Sequence, residues 1–327
     1  MRRFLFVFLL LLSFTARTSA AAPALPPAHP SAPWPAHQRV LVLGDSITQD
    51  GRYVSYLEYY LQRFAPDTHS DLISIGLSSE TLSGLTEPDH PAPRPCLFNR
   101  LDRALELVKP QVVLACYGMN DGIYHPSSPE RLAAFTHGLS RLIEKVHAIG
   151  AQLVLITPPV FDARLISART VSDTAPAFGY KHPYNNYDDV LAEFAAAEIA
   201  QQAPKIRVID LHQAMRAALT AARVLDPAFT FSPDGVHPNE AGHLLMARTL
   251  ANGLGLALPE MTAAVELPAL AADPRFTLIR DRRALRSEAW LPYIGYTNGK
   301  TYHSASVAAT ERIVARLQAE IAIASAK

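Results

Sequence analysis

Five short runs, at residues 40–43, 72–75, 112–116, 153–156 and 206–209, are almost unbroken stretches of apolar residues, mostly Val, Ile and Leu. A strand with one face in water alternates apolar and polar residues, so unbroken runs of this length mark strands buried on both faces. Strands buried in that way pair in parallel, because each crossover connection lays a helix over the sheet. Segments with helical spacing do lie between the runs, at 53–64, 97–108, 129–149 and 187–202, and a further one follows at 239–252. The order strand–helix–strand, kept through all five runs, predicts a doubly wound α/β sheet with helices on both faces. A chain of 327 residues that is 49% hydrophobic and 18% charged has the material for such a core. No internal repeat is evident.

The segments outside this pattern read differently. Residues 1–3 are Met-Arg-Arg, residues 4–14 form an eleven-residue apolar run, and small residues end at Ala20. That layout predicts a signal peptide over 1–20, and with it export to the periplasm or the exterior. Eleven residues are too few to span a bilayer as a helix, so no stable membrane insertion is expected once the signal is removed. Residues 21–38 contain six prolines and read as an extended linker. The α/β pattern occupies 39–258. Residues 259–327 are too few for a confident independent domain and read as a helical extension packed on the core, with one amphipathic helix over 307–325. Lys300, Tyr302 and His303 in that extension read as surface residues rather than site residues.

Lys plus Arg and Asp plus Glu both number 30, so charge gives no reason to expect nucleic acid or an anionic membrane as partner. The two cysteines, Cys96 and Cys116, leave two readings open, a disulfide in an exported protein or a pair of reduced thiols. Two cysteines do not make a zinc site, and no metal or cofactor is expected.

In a doubly wound sheet, ligands bind beyond the carboxyl ends of the strands. Gly44-Asp45-Ser46 follows the first run, Gly76-Leu77-Ser78-Ser79 the second, Tyr117 to Asp121 the third and Thr157-Pro158-Pro159 the fourth. A serine hydroxyl is protonated at neutral pH, so a nucleophilic Ser46 needs a histidine to take its proton and a carboxylate to orient that histidine. Among twelve histidines, His237 stands out, three residues after Asp234 with Gly235 between and Pro238 after. Two readings fit that stretch: a base with its orienting acid on one tight turn, or a plain Asx-turn opening the helix at 239–252. Acyl transfer also needs donors for an oxyanion. The Ser46 backbone N–H, the Gly76 N–H and the Asn120 side-chain amide are candidates. Each has a bland reading as a turn residue, but those readings do not explain why all three follow successive strands.

Ser46 in "GDSIT", Gly76 in "SIGLSSETLSG", Asn120 in "GMND" and His237 in "DGVHP" match, in order, the four blocks of the SGNH (GDSL-like) hydrolase family. The chain resembles that family over residues 39–255. The resemblance implies a flavodoxin-like three-layer α/β/α sandwich with five parallel strands in the order 2-1-3-4-5. It implies metal-free ester hydrolysis through an acyl-serine, with Ser46 as nucleophile, His237 as base and Asp234 as orienting acid. Ser46 N–H, Gly76 N–H and Asn120 would form the oxyanion hole, while Asp45 and Asp121 would organise loops. Two positions depart from the usual blocks: Ile75 stands where Asn or Arg often precedes the glycine, and Met119 stands between Gly118 and Asn120.

The substrate is less legible. No long apolar lid marks a lipase, and the segments 86–96 and 158–186 bring His90, Arg94, Phe161, Tyr180, His182 and Tyr184, with Tyr187 just beyond, toward the expected site. Such residues suit an acetylated carbohydrate, and they equally suit a loop surface. Three functions are therefore in play: a secreted serine esterase for small acyl groups, with acetyl esters of carbohydrates the expected substrate; a lipase or arylesterase on lipid or aryl esters; and a non-catalytic carbohydrate-binding module on the same fold. The filled set Ser46, Asp234 and His237 argues against the third.

Overall fold

A computed structural model describes residues 36–296 and 305–325. The predicted signal peptide, most of the linker, and Lys300, Tyr302 and His303 lie outside the described residues. Five strands form one parallel sheet: β1 (Arg39–Gly44), β2 (Asp71–Ser74), β3 (Val112–Cys116), β4 (Gln152–Ile156) and β5 (Ile206–Ile209). Their order is β2-β1-β3-β4-β5. Val40 pairs with Leu72 on one side and Val112 on the other, so β1 sits between the two strands whose ends carry the remaining blocks. Every residue of β3 and the last five of β1 are buried, which is why neither run alternates.

The helices are α1 (Ser46–Asp50), α2 (Arg52–Phe64), α3 (Leu101–Val108), α4 (Pro129–Ala148), α5 (Tyr187–Ile199), α6 (Leu211–Leu225), α7 (Glu240–Gly253), α8 (Ala263–Ala272), α9 (Pro274–Ile294) and α10 (Val307–Ser325). They cover both faces of the sheet: α4 packs on α5, and α2 on α7. The single helix expected over 97–108 is instead a short turn at Leu97–Asn99 followed by α3. Arg100 interrupts it, because its guanidinium turns into the core to form a bidentate pair with Glu80 (2.6 Å for each contact), both side chains fully buried.

From Ala263 onward the described residues form three helices, α8, α9 and α10, with short non-helical stretches at their ends. α9 lies against α2 and β2, α10 against α9, and α8 against α7 and α9. β2 is an edge strand, and an uncovered edge leaves backbone groups unpaired. Arg286 on α9 donates to the outward carbonyl of Leu72 (2.9 Å) and is gripped by Glu311 of α10 (2.8 and 2.9 Å). At the opposite edge, Ile206 exchanges backbone hydrogen bonds with Ala203, and the Val208 N–H donates to Gln202 Oε1 at 2.8 Å.

Cys96 and Cys116 are both free thiols, so of the two readings the reduced one describes the structure. Burial pushes the Cys116 thiol well above its ordinary range. No helix among the described residues is long and apolar enough to cross a membrane.

Candidate active site

The carboxyl end of β1 turns sharply into α1. Asp45 caps that helix, its Oδ1 accepting from the Ile47 N–H at 2.9 Å, and Ser46 follows as the first helical residue. A residue at that position has no carbonyl one turn earlier to bond, so its N–H is available. Neither the Ser46 nor the Gly76 N–H has an acceptor among the described residues. Gly76, just beyond β2, packs against α1 so closely that a Cβ there would lie 2.4 Å from Gln49 N and 2.6 Å from the Thr48 carbonyl carbon. Only glycine permits that approach, which brings a second free N–H to the Ser46 corner.

Residues 234–237 sit on a tight turn ahead of α7. Gly235 has φ +89°, and its would-be Cβ meets Ile166, so the turn is closed by the segment after β4. Asp234 Oδ1 accepts from the N–H groups of Val236 (2.9 Å) and His237 (2.7 Å), and Oδ2 lies 2.7 Å from His237 Nδ1. His237 Nε2 is 2.8 Å from Ser46 Oγ, a contact between residues 191 positions apart. The turn is therefore an Asx-turn that also carries a histidine within hydrogen-bond reach of the serine.

The electrostatics follow from these bonds. Burial works to raise the Asp234 carboxyl, but the His237 ring and the two backbone N–H groups outweigh it and hold the carboxyl well below the usual range. The hydrogen bond that His237 donates to Asp234, with the carboxylate's charge, pushes His237 above the ordinary imidazole value against a desolvation penalty. A carboxylate bonded to Nδ1 fixes the proton there and leaves Nε2 as the acceptor facing Ser46.

Arg52 ties the two halves together. It pairs with Asp50 through Nε (2.7 Å) and Nη2 (3.0 Å) and reaches the Pro238 carbonyl at 3.3 Å. Asp50 also lies 3.4 Å from Nε2 of His243, which is buried and stacked on Tyr53; burial lowers that histidine to about 4, so it is neutral.

Asn120 lies at the third strand end, buried. Its Nδ2 reaches Asp45 Oδ2 (3.3 Å) and the Glu80 carbonyl (3.4 Å), which places the amide beside the Asp45–Ser46 corner. Asp121 accepts from the N–H groups of Leu82 and Ser83 (2.7 Å each) and of Gly118 (2.9 Å), binding the segment after β2 to the segment after β3. Burial pushes Asp121 to about 6 and Asp45 to about 7. Among the described residues, no cluster of three or more His, Cys, Asp or Glu is placed to hold a metal.

The flanking residues divide. His90 and Tyr180 are half-buried and meet edge to face (5.6 Å), and His182 is exposed. Phe161 and Tyr187 are core residues instead; the Tyr187 hydroxyl donates to the Met119 carbonyl at 3.0 Å and accepts from the Gly122 N–H at 3.1 Å. Arg94 is buried against Asn120. Glu87, Tyr124 and Arg52 carried no motif, and spacing alone did not reveal them.

Residues 42–245 match the GDSL-like lipase/acylhydrolase family. The fold is similar to that of a catalytic mutant of Axe2, an acetylxylan esterase from Geobacillus stearothermophilus (TM-score 0.50, 20% identity, covering 69% of this chain and 99% of that one). It is also similar to a gut microbial diltiazem-metabolizing enzyme (TM-score 0.53, 19% identity, covering 70% of this chain and 49% of that one). At such identities the likeness is one of fold. No curated protein matches the chain.

Proposed function

The chain belongs to the GDSL-like lipase/acylhydrolase family and is a serine hydrolase of carboxylic esters, and from that premise we propose that it removes small acyl groups, acetyl above all, from carbohydrate hydroxyls through an acyl-Ser46 intermediate. The observation that carries the reading is the unbroken line from Asp234 Oδ2 through the His237 ring to Ser46 Oγ, with contacts of 2.7 and 2.8 Å. In this reading Ser46 Oγ attacks the ester carbonyl as His237 Nε2 takes its proton. The carbonyl oxygen, now anionic, is received by the N–H groups of Ser46 and Gly76 and by Asn120 Nδ2. Collapse expels the alcohol, which takes the proton back from His237. Water then attacks the acyl-serine by the same route, returning the acid and free Ser46. Asp234 keeps Nε2 unprotonated in the resting state and stabilises the imidazolium in between.

Likeness of fold to an acetylxylan esterase supports the carbohydrate ester. Two further parts belong to the same reading. Residues 39–258 form the catalytic unit with 259–327 as its extension, and the basic, apolar and small-residue layout of residues 1–20 directs export.

The test uses p-nitrophenyl esters from acetate to decanoate and acetylated xylan, with the unaltered protein and Ser46→Ala. The expected result is a rate maximum at acetate, acetate release from the polymer, and loss of both in Ser46→Ala. A maximum at medium chains would replace the carbohydrate substrate by a lipid one. Activity of Ser46→Ala equal to the unaltered protein would overturn the assignment of the nucleophile.

A further inference from the structure

The direction in which the Asn120 amide points is set from behind. Its Oδ1 accepts two hydrogen bonds, from Arg94 Nη1 at 3.0 Å and from the Tyr124 hydroxyl at 3.1 Å. A guanidinium has donors only, so the amide cannot turn its NH2 toward Arg94, and Nδ2 is committed to the side of Asp45 and Ser46. There its contacts with Asp45 Oδ2 and the Glu80 carbonyl, at 3.3 and 3.4 Å, are long for an N–H···O bond. An oxyanion arriving at this corner meets a donor that is aimed but weakly engaged.

The supporting groups are themselves fixed. Arg94 is buried and pairs with the buried Glu87 through Nε (2.6 Å) and Nη2 (2.5 Å), leaving Nη1 for Asn120. Its guanidinium lies 5.5 Å from the centre of the Tyr124 ring. Ile123 and Tyr124 both hold positive φ, +47° and +60°. Bulky residues, β-branched ones above all, avoid that region, and such strain persists only where the surroundings over-determine it. Here it brings the Tyr124 hydroxyl back onto the amide four residues earlier.

We propose that Arg94 and Tyr124 are positioning residues for ester hydrolysis: they hold and polarise the Asn120 amide so that Nδ2 donates to the oxyanion, with Glu87 keeping Arg94 in place. Drawing electron density from Oδ1 makes the N–H groups better donors, and the gain is largest when full negative charge develops on the substrate oxygen. The effect therefore belongs to kcat and leaves KM nearly unchanged. The proposal rests on the reading of Asn120 as an oxyanion donor.

A double-mutant cycle on p-nitrophenyl acetate tests it. Asn120→Ala alone is expected to lower kcat by about 10²–10³-fold. Tyr124→Phe, and separately Arg94→Gln combined with Glu87→Gln so that no buried carboxylate is left unpaired, are each expected to lower kcat about tenfold with KM within about twofold. In the Asn120→Ala background both further losses should vanish, because the group they act through is gone. If Asn120→Ala is harmless, the oxyanion reading of Asn120 fails and takes this proposal with it. If Asn120→Ala is damaging but the Tyr124→Phe loss persists at full size in its background, Asn120 stands and the proposal is overturned. Tyr124→Phe removes one oxygen from a buried ring, so it decides the matter even where the Arg94 and Glu87 pair does not fold.

Discussion

Replacing Asp234 by Asn separates orientation of the base from mere scaffolding. The carboxylate has two jobs on opposite oxygens: Oδ1 receives two backbone N–H groups, and Oδ2 receives the His237 ring. An asparagine keeps the first job, since its carbonyl oxygen accepts from Val236 and His237 N–H as before. It reverses the second, because an NH2 now faces Nδ1 and requires that nitrogen to be the acceptor. The ring proton moves to Nε2, where it blocks receipt of the Ser46 hydroxyl proton across the 2.8 Å contact. A wrong tautomer in this kind of triad costs about 10⁴ in kcat, which corresponds to roughly 5.4 kcal/mol at about 1.36 kcal/mol per tenfold.

The pH dependence has a definite sign. Asp234 raises the pKa of His237, and the neutral ring is the active form, so activity of the unaltered enzyme falls as pH drops through a value above 6.5. Removing the charge lowers that pKa, so the acid limb of the residual activity moves to lower pH. The assay is initial rates on p-nitrophenyl acetate from pH 5 to 9, with thermal unfolding as control. The melting temperature should stay within a few degrees, because the Asx-turn bonds survive. A variant that keeps more than a tenth of the wild-type rate, or keeps the acid limb where it was, refutes the orienting role of Asp234.

Three further outcomes follow from the packing. Gly76→Ala forces a Cβ to within 2.4 Å of Gln49 N, so α1 and the end of β2 must part; a stability loss of about 1–3 kcal/mol and a kcat loss near 10²-fold are expected by denaturation and rate assay. Arg100→Met leaves Glu80 buried without its partner, and chemical denaturation should show a loss of about 3–5 kcal/mol that Glu80→Gln in the same chain partly restores. Arg286→Ala removes the donor to the Leu72 carbonyl and leaves Glu311 with the Trp290 indole N–H in place of a cation, costing about 1–3 kcal/mol in the same assay while the ester kinetics of the folded fraction stay unchanged.

The strands were legible to within a residue because burial on both faces writes itself as an unbroken apolar run. The four blocks were legible because acyl transfer needs particular residue types at strand ends. α6 was not read as a helix, and α8 and α9 were expected only as parts of a helical extension whose ranges were not drawn; α9 shows why. Its buried face includes Arg282 and Arg286, matched to Glu58, Asp71 and Glu311 on other elements, so a search for an apolar stripe passes over it. The same limit hid Glu87 and Tyr124. Their importance lies in a contact with Asn120 or Arg94, and the φ of +60° at Tyr124 leaves no mark in composition. Arg94 and Tyr187 were placed near the site, yet one is an ion-paired support and the other core, a difference that depends on which way each side chain faces.

The two margins of the sheet bear on how copies of this chain meet. At β2 the Leu72 carbonyl is taken by Arg286, and at β5 Ile206 and Val208 are engaged by Ala203 and Gln202. Strand-by-strand growth needs those same groups free. Pairing of sheets from two folded molecules would first have to displace these hydrogen bonds, which works against fusing sheets into a longer ribbon at these positions. Unfolding of α9 would reopen one margin, which makes that helix the point where solubility and folding become the same problem.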